Sequence, residues 1–146
     1  MERVRRATAD DLDECAALLA RAQDELVGKR GAEQLLGVGR ADVAEWWDAG
    51  PDRLLLVGEF EDATVGLAAG RVGERGVGTV DCCYVVPEAR RVGVGGALLT
   101  DLLTWFGDAG CSEVDAAALP GDRQTKQLYE SAGFTARLLI LHRRLR

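Results

Sequence analysis

The chain has 146 residues, of which 47% are hydrophobic and 29% charged, and it carries a formal net charge of −6 at pH 7. This length fits a single domain, residues 1–146, that can bury a sizeable core. The acidic balance argues against a nucleic-acid partner, which would require a basic surface.

No apolar run is long enough to cross a membrane, and the arginine-rich first residues lead into acidic sequence without an apolar signal core. We therefore expect a cytoplasmic protein without a membrane partner.

The first elements in chain order are an edge strand over Glu2–Arg6 and a helix that Thr8 caps. One face of that helix is apolar at spacings of three and four residues, which predicts packing against a flat surface. The residues of this face are Leu12, Cys15, Ala16, Leu19 and Ala22.

Residues 27–40 are interrupted by glycines and predict a loop or a broken helix. Asp42 can cap a short helix that carries Trp46 and Trp47 and ends at Gly50. Large aromatic side chains favour burial in the core, although they could also line an acceptor pocket.

Three apolar runs, over residues 54–60, 64–72 and 79–86, follow one another with only turn residues between them. This pattern predicts an antiparallel meander of three strands. No helical pattern interrupts it.

The second half of the chain alternates helices and strands. It predicts a helix over residues 92–109, a strand over 113–119, a helix over 123–132 and a final strand over 134–145. A strand, a helix and a strand in succession favour parallel pairing of residues 79–86 with 113–119. The fold class is therefore α+β.

Glycines open the helix near residue 93, directly after a pair of arginines, Arg90 and Arg91. The first turn of a helix presents N–H groups without intrahelical partners, and glycines let an anion approach them. The guanidinium groups can add charge-assisted hydrogen bonds. We expect an anion here, although glycines and arginines also occur in ordinary surface loops.

Three segments resemble one family. The run from Arg90 to Gly95 resembles the Arg/Gln-x-x-Gly-x-Gly/Ala signature of the GNAT superfamily of acetyl-CoA-dependent N-acetyltransferases. The run from Leu128 to Phe134 resembles the Leu-Tyr-Glu-x-x-Gly-Phe segment of that family, and residues 5–12 resemble its usual opening. The resemblance implies a mostly antiparallel, twisted sheet of about six to seven strands, flanked by about four helices. One parallel pair of strands would splay apart at the cofactor site.

The resemblance also implies a cofactor, acetyl-CoA, and residues that hold it. Arg90 and Arg91 would assist the backbone at the helix start in binding the pyrophosphate, and the backbone of Cys83 and Val85 would pair with the pantetheine amides. The backbone positions at the helix start are Val92, Gly93, Val94, Gly95 and Gly96.

Tyr129 matches the tyrosine that would protonate the departing thiolate, and a phenol is protonated at neutral pH. A buried, hydrogen-bonded aromatic residue is the alternative interpretation. For the base, two-residue alternation predicts that Asp81 shares a strand face with Cys83 and Val85. Asp115 is a second candidate for the base.

Glu33 is a third candidate, and a solvated or ion-paired carboxylate remains the alternative for each of the three. The sequence also departs from the family pattern. Asp122 and Thr125 stand where the family often has an asparagine and a small residue. Asp122 can still cap the next helix, but its charge would weaken CoA binding.

Four cysteines, at positions 15, 82, 83 and 111, lack paired CxxC spacing, and His142 is the single histidine. We expect reduced cysteines packed in the core and no metal site. His142 could touch an acceptor, or it could be a surface or subunit-contact residue.

The preferred function is direct transfer of acetyl from acetyl-CoA to a primary amine of a small molecule or peptide. The alternatives are a non-catalytic CoA-binding regulatory module and a transferase for another acyl-CoA. The short region after Phe134 would leave the acceptor site open or completed by a second subunit, so a homodimer is a further expectation.

Overall fold

The computed structural model describes residues 1–36 and 42–146 and contains one mixed sheet flanked by helices. The strands are β1 (Glu2–Arg6), β2 (Arg53–Phe60), β3 (Ala63–Val72), β4 (Val77–Val85) and β5 (Glu113–Ala116). The helices are α1 (Leu12–Leu26), α2 (Ala32–Leu36), α3 (Val94–Asp108) and α4 (Arg123–Ser131).

The sheet order is β1-β2-β3-β4-β5, with antiparallel pairing except between β4 and β5. The predicted meander, the edge strand at the N-terminus and the parallel pair are all confirmed. The broken helix predicted for residues 27–40 corresponds to α2, and the part of that prediction over 37–40 lies outside the described residues.

The strand count differs from the expectation of about six to seven, because the described residues form five strands. The strand predicted over residues 134–145 is absent there, and that segment has no regular secondary structure. Its apolar pattern suits a strand, but in this structure no neighbouring strand supplies it with hydrogen-bond partners. The segment has the apolar composition of a strand, but it does not adopt the conformation of a strand, so this prediction is wrong.

Glycines on one face of the sheet set the position of α3. A methyl group at Gly78 would clash with Cδ1 of Phe106, and one at Gly58 would lie 2.5 Å from Cγ1 of Val94. The absence of side chains at these positions lets α3 approach the backbone of the sheet. Five residues of α3 are buried: Val94, Leu98, Leu99, Leu102 and Phe106.

The opposite face of the sheet is covered by α1, which buries Cys15, Leu18 and Leu19. Ala16 was predicted to lie on the apolar face but is exposed, and Leu18 is buried instead. Before α1, Arg5 on β1 forms a bidentate pair with Asp11 (2.7 and 2.9 Å), so β1 and the start of this helix are joined. None of the helices found in residues 1–36 and 42–146 has the length and apolar character needed to cross a membrane.

Candidate active site

The start of α3 presents backbone N–H groups to solvent. Gly93 takes the N-cap position with φ 90°, a conformation that favours glycine, and among the described residues no side chain caps the helix. Gly96 is exposed, and a methyl group there would meet nothing within 4 Å. The first turn contains no acidic residue. This geometry fits the pyrophosphate of CoA, because an anion could reach the N–H groups at the positive end of the helix.

The two arginines ahead of α3 lie in different environments. Arg91 is exposed and adopts φ 74° within the turn. Arg90 instead turns its guanidinium onto the structure: Nε donates to the carbonyl oxygen of Val85 at 3.0 Å, and Nη2 donates to Glu25 at 2.9 Å. Nη1 donates to Gln124. Arg90 therefore joins β4, α1 and α4, whereas the exposed guanidinium of Arg91 has no partner in the part of the chain that the structure describes and can approach an anion.

The parallel strands part beside this loop. β4 pairs with β5 from Val77–Glu113 to Val80–Ala116, and β4 then continues to Val85 without β5. Val86 N–H donates to Val65 on β3, so alternation directs the backbone groups of Val85 and Cys83 away from β3. The carbonyl of Val85 accepts from Arg90, which agrees with that direction. These backbone groups therefore face the gap in which the strands separate.

A bulge in β4 changes the face on which Asp81 lies. Gly70 pairs with Val80 and Ala69 pairs with Cys82, so Asp81 is an extra residue in the ladder. The bulge reverses the two-residue alternation, and the prediction that Asp81 shares a face with Cys83 and Val85 is therefore wrong.

The carboxylate of Asp81 lies among groups on the side of the sheet that α1 covers. Trp46 Nε1 donates to Asp81 Oδ2 at 2.9 Å, and Arg71 Nε lies 3.5 Å from Oδ1. The short helix predicted after Asp42 is a single 3₁₀ turn, Val43–Glu45, with the predicted Asp42 cap. Trp46 is buried in the core, as expected, and it also orients this carboxylate.

Tyr129 on α4 is buried beside the gap, and its ring packs against Phe134 with a centroid distance of 5.3 Å. Burial raises the pKa of the phenol well above its usual value, and the nearby Cys83 and Cys82 raise it further. The tyrosine therefore lies within electrostatic range of the residues that form the open part of β4. In this environment the phenol is a proton donor at neutral pH.

Asp122 caps α4, as predicted. Its carboxylate accepts from the backbone N–H of Thr125 at 3.3 Å and from the Thr125 hydroxyl at 2.6 Å. Lys29 Nζ lies 3.9 Å from Oδ1 of Asp122, which offsets part of its negative charge. Asp122 therefore caps the helix even though the family often has an asparagine at this position.

The other two candidate bases are exposed. Asp115 lies on β5 opposite Thr79, and Glu33 lies on α2. The structure adds a carboxylate that the sequence analysis missed, Glu25 on α1. Its Oε2 is buried, as is the hydroxyl of Tyr84, and neither atom has a hydrogen-bond partner within residues 1–36 and 42–146. Burial raises the pKa of Tyr84 to about 12, and the Glu25 carboxylate beside it adds to the shift.

A sequence signal for Glu25 exists. Glu25 lies seven residues after Leu18 and three residues after Ala22. These are helical spacings, so Glu25 continues the side of α1 that faces the sheet. A carboxylate in that position requires a partner when the helix packs, and Arg90 supplies it.

A cavity of about 370 Å³ lies between the end of α1, β4 and the start of α4. Its walls include Glu25, Tyr84, Arg90 and Asp122. Arg90 pairs with Glu25 and Lys29 pairs with Asp122 across the cavity, and Arg123 adds a further positive charge to its walls.

All four cysteines are free thiols. Cys15 is buried in the core, whereas Cys82, Cys83 and Cys111 are partly exposed. Burial raises the pKa of the Cys82 thiol to about 12, which makes this sulfur a poor nucleophile at neutral pH. Within the described ranges, no three His, Cys, Asp or Glu side chains converge closely enough to hold a metal ion.

Comparison with known protein families gives one match that covers most of the chain. The model of the acetyltransferase (GNAT) family matches residues 20–134. This range includes α3, α4 and the gap between β4 and β5. No curated protein matches the chain by sequence.

Solved structures share the fold at low sequence identity. AAC(6')-Iy, an aminoglycoside N-acetyltransferase in complex with CoA, is 16% identical, with a TM-score of 0.72 and 99% of each chain covered. A ribosomal-protein-alanine N-acetyltransferase from Brucella melitensis biovar Abortus 2308 is 21% identical, with a TM-score of 0.71 and both chains fully covered. An acetyltransferase from Trypanosoma brucei is 24% identical, with a TM-score of 0.68 and coverage of 99% of this chain and 100% of the other.

Proposed function

This chain belongs to the acetyltransferase (GNAT) family, whose members are acetyl-CoA-dependent N-acetyltransferases, and we propose that it transfers acetyl directly to a primary amine in a ternary complex. The observation that carries the proposal is the convergence of three features. The glycine start of α3, the open part of β4 and the buried phenol of Tyr129 lie around one gap in the sheet.

The donor side of the reaction uses backbone groups. The N–H groups at the start of α3, from Val92 to Gly96, bind the pyrophosphate of CoA, and Arg91 adds a charge-assisted contact. The backbone of Cys83 and Val85 pairs with the pantetheine amides in the gap that β5 leaves open. Arg90 holds the Val85 end of β4 in position rather than binding the pyrophosphate.

The reaction forms a C–N bond and breaks a C–S bond. The amine nitrogen attacks the thioester carbonyl carbon, and a backbone N–H near Val85 stabilises the oxyanion. As the tetrahedral intermediate collapses, the thiolate of CoA departs and takes the proton of the Tyr129 hydroxyl, and the proton that the attacking nitrogen releases restores this hydroxyl through solvent. No covalent acyl-enzyme intermediate forms, which agrees with the raised pKa of the Cys82 thiol.

The amine must lose a proton before it attacks, because an alkylammonium has a pKa near 10. Asp81 is the proposed base, acting through a water molecule. Its side chain is 15% exposed, so water can reach it, and Trp46 and Arg71 hold the carboxylate in place.

The acceptor is a primary amine of a small molecule or a peptide. The cavity between α1 and α4 holds two charge pairs and the further cation Arg123, so its charge does not favour a strongly cationic acceptor. We therefore propose the reaction class without a named acceptor, with a homodimer as the proposed assembly.

The test incubates the purified chain with acetyl-CoA and a panel of amines and follows release of the CoA thiol. Isothermal titration with CoA provides an independent measure of binding. Thiol release that depends on one class of amine supports the proposal.

Two outcomes would favour one of the alternative functions. CoA binding without turnover on any amine would favour a non-catalytic CoA-binding module. Turnover with a longer acyl-CoA and not with acetyl-CoA would favour a transferase for another acyl group.

A further inference from the structure

Two arginines lie side by side on the face of the sheet that carries Asp81. Arg53 on β2 is directly opposite Arg71 on β3 in the antiparallel register, so both side chains point to the same face. Gly70, the neighbour of Arg71 along β3, faces α3, because a methyl group there would lie 2.7 Å from Cζ of Phe106. Strand alternation therefore directs the two arginines to the side that α1 covers.

The two guanidinium groups share one carboxylate. Nε of Arg71 lies 3.5 Å from Oδ1 of Asp81, whereas Arg53 forms no side-chain hydrogen bond or ion pair with residues 1–36 and 42–146. Like charges directly opposite each other on neighbouring strands weaken the pairing of those strands. The whole chain has a net charge of −6, so this positive excess is local, and an anion bound between the arginines would relieve it.

The same row of the sheet becomes acidic toward β5. Thr79 on β4 is opposite Arg71, and Asp115 on β5 is opposite Thr79. Asp81 is the extra residue of the bulge beside this row. Since neighbouring strands are about 4.8 Å apart, the positive and negative ends of the row are separated by about 5–10 Å. This polarity is complementary to a small molecule that carries both an ammonium group and a carboxylate.

A cavity of about 290 Å³ lies beside the positive end of the row. Its walls include Arg53, and the other charged groups there are Arg6 and Asp48, so the cations outnumber the anion. Trp46 and Trp47 add apolar surface, and Trp46 also donates its Nε1 hydrogen bond to the proposed base. A side chain of the ligand can therefore occupy this cavity while its charged groups lie on the row.

We propose that the acceptor is a small amine that also carries a carboxylate, as a free amino acid does, and that Arg71 and Arg53 bind this carboxylate while the amine faces Asp81. The inference rests on the proposed function, because it takes Asp81 as the base and names the class of acceptor. A guanidinium binds a carboxylate through two parallel hydrogen bonds. The Arg71 side chain is 48% exposed, so a ligand can reach it. The cavity between α1 and α4 agrees in sign, because Arg123 adds a positive charge there.

The test compares amines that share a side chain and differ in the carboxylate, such as leucine, leucinamide and 3-methylbutylamine, over a panel of side chains. Isothermal titration with and without CoA measures binding, and release of the CoA thiol from acetyl-CoA measures turnover. We expect at least one amino acid to bind about tenfold or more tightly than its amide and than the amine without a carboxyl group.

Arg71→Gln should weaken binding of that amino acid by about tenfold to a hundredfold and leave the Kd values for the amide and for CoA within about twofold. Arg71→Lys keeps the charge without the planar fork and should restore part of the loss. Arg53→Gln should weaken binding in the same direction. Arg75→Gln is the matched control, because it removes an exposed arginine from the turn after β3 and should leave all three Kd values unchanged.

The ratio of the two Kd values separates binding of the carboxylate from a structural effect. A disturbed position of Asp81 in Arg71→Gln would change turnover of the amino acid and of the amide alike, whereas loss of a carboxylate contact changes their ratio. Thermal unfolding verifies that each variant is folded. Equal losses for the amino acid and the amide in Arg71→Gln would overturn the proposal.

Absence of binding by every amino acid in the panel would also overturn it, and so would tighter binding of a polyamine such as spermidine or of a peptide. Turnover of one of those amines alone would overturn this inference and leave the proposed function standing. Binding of an amino acid that depends on Arg71, without acetyl transfer, would support the site and contradict the proposed function.

Discussion

Arg90 Nε donates a hydrogen bond to the carbonyl oxygen of Val85 at 3.0 Å, across the turn that leads from β4 to α3. The same guanidinium pairs with Glu25 on α1 and lies 5.6 Å from the centre of the Tyr84 ring. The arginine of the family signature thus joins the end of β4 to α1.

We expect Arg90→Gln to destabilise the fold and Arg91→Gln to weaken CoA binding. Loss of the Arg90 contacts should lower the free energy of unfolding by about 1–3 kcal/mol. Arg91→Gln should leave unfolding unchanged and raise the Kd for CoA by about twofold to tenfold. Urea unfolding and isothermal titration measure the two effects.

A double-mutant cycle with Glu25→Gln checks the pair itself. We expect a coupling energy of about 0.5–1 kcal/mol between positions 25 and 90, because the pair is partly exposed. Arg21 and Glu88 form an exposed pair and should show no measurable coupling. Equal coupling in both pairs would contradict a structural role for Arg90.

Tyr129→Phe should reduce kcat by about a hundredfold and leave the Kd for CoA within about twofold, because the variant lacks the proton donor and keeps the ring. Tyr84→Phe is the matched control, since its phenol is also buried but lies beside Glu25 of α1, and its removal should leave kcat near that of the parent. A comparable loss in both variants would argue against the assigned role.

The pH profile provides a second readout for Tyr129. Burial raises the pKa of this phenol above its usual value of 10, so it stays protonated through the neutral and mildly basic range. We expect kcat to show no descending limb from Tyr129 below about pH 10. A limb near pH 8 that disappears in Tyr129→Phe would contradict the raised pKa.

The pair between Arg5 and Asp11 predicts a pH-dependent contribution to stability. The Arg5 guanidinium holds the pKa of the Asp11 carboxyl well below its usual value of 3.8, against the opposing effect of burial. The stabilisation is therefore complete above the pKa of the unfolded state and is lost as the pH falls toward the lower pKa of the folded state.

Asp11→Asn should lower the free energy of unfolding by about 1–3 kcal/mol at pH 7, and the difference from the parent should shrink below about pH 4. Asp10→Asn changes an exposed neighbour and should have little effect at either pH. Urea unfolding at both pH values measures the difference. A gap between parent and variant that widens in acid would reverse the expected sign.

Two glycines should respond to alanine in opposite directions. Gly78→Ala forces a methyl group against Phe106, and overpacking of this kind costs about 1–3 kcal/mol. Gly107→Ala lies within α3 with nothing nearby, so the better helix propensity should stabilise by about 1 kcal/mol. Thermal unfolding of the two variants measures both changes.

The order of the elements was accessible from the sequence, because periodicity and turn residues are local signals. The parallel pair and the glycine start of α3 followed from the same signals. The direction of Arg90 was not accessible, since its partner Glu25 is 65 residues away in the chain. The strand predicted over residues 134–145 is absent, because an apolar composition indicates that a segment can form a strand. It does not indicate whether a neighbouring strand is available to pair with it.

The extra residue in β4 has a consequence for the length of that strand. Val80 and Val85 both face α3 although they are five positions apart, an odd offset that regular alternation would place on opposite faces, because Asp81 is an extra residue in the ladder. Without this bulge, regular alternation from Val80 would place the Tyr84 side chain on the face that α3 covers and direct the polar groups of Val85 toward β3. The one extra residue in β4 thus determines which of its backbone amides face the gap between the strands.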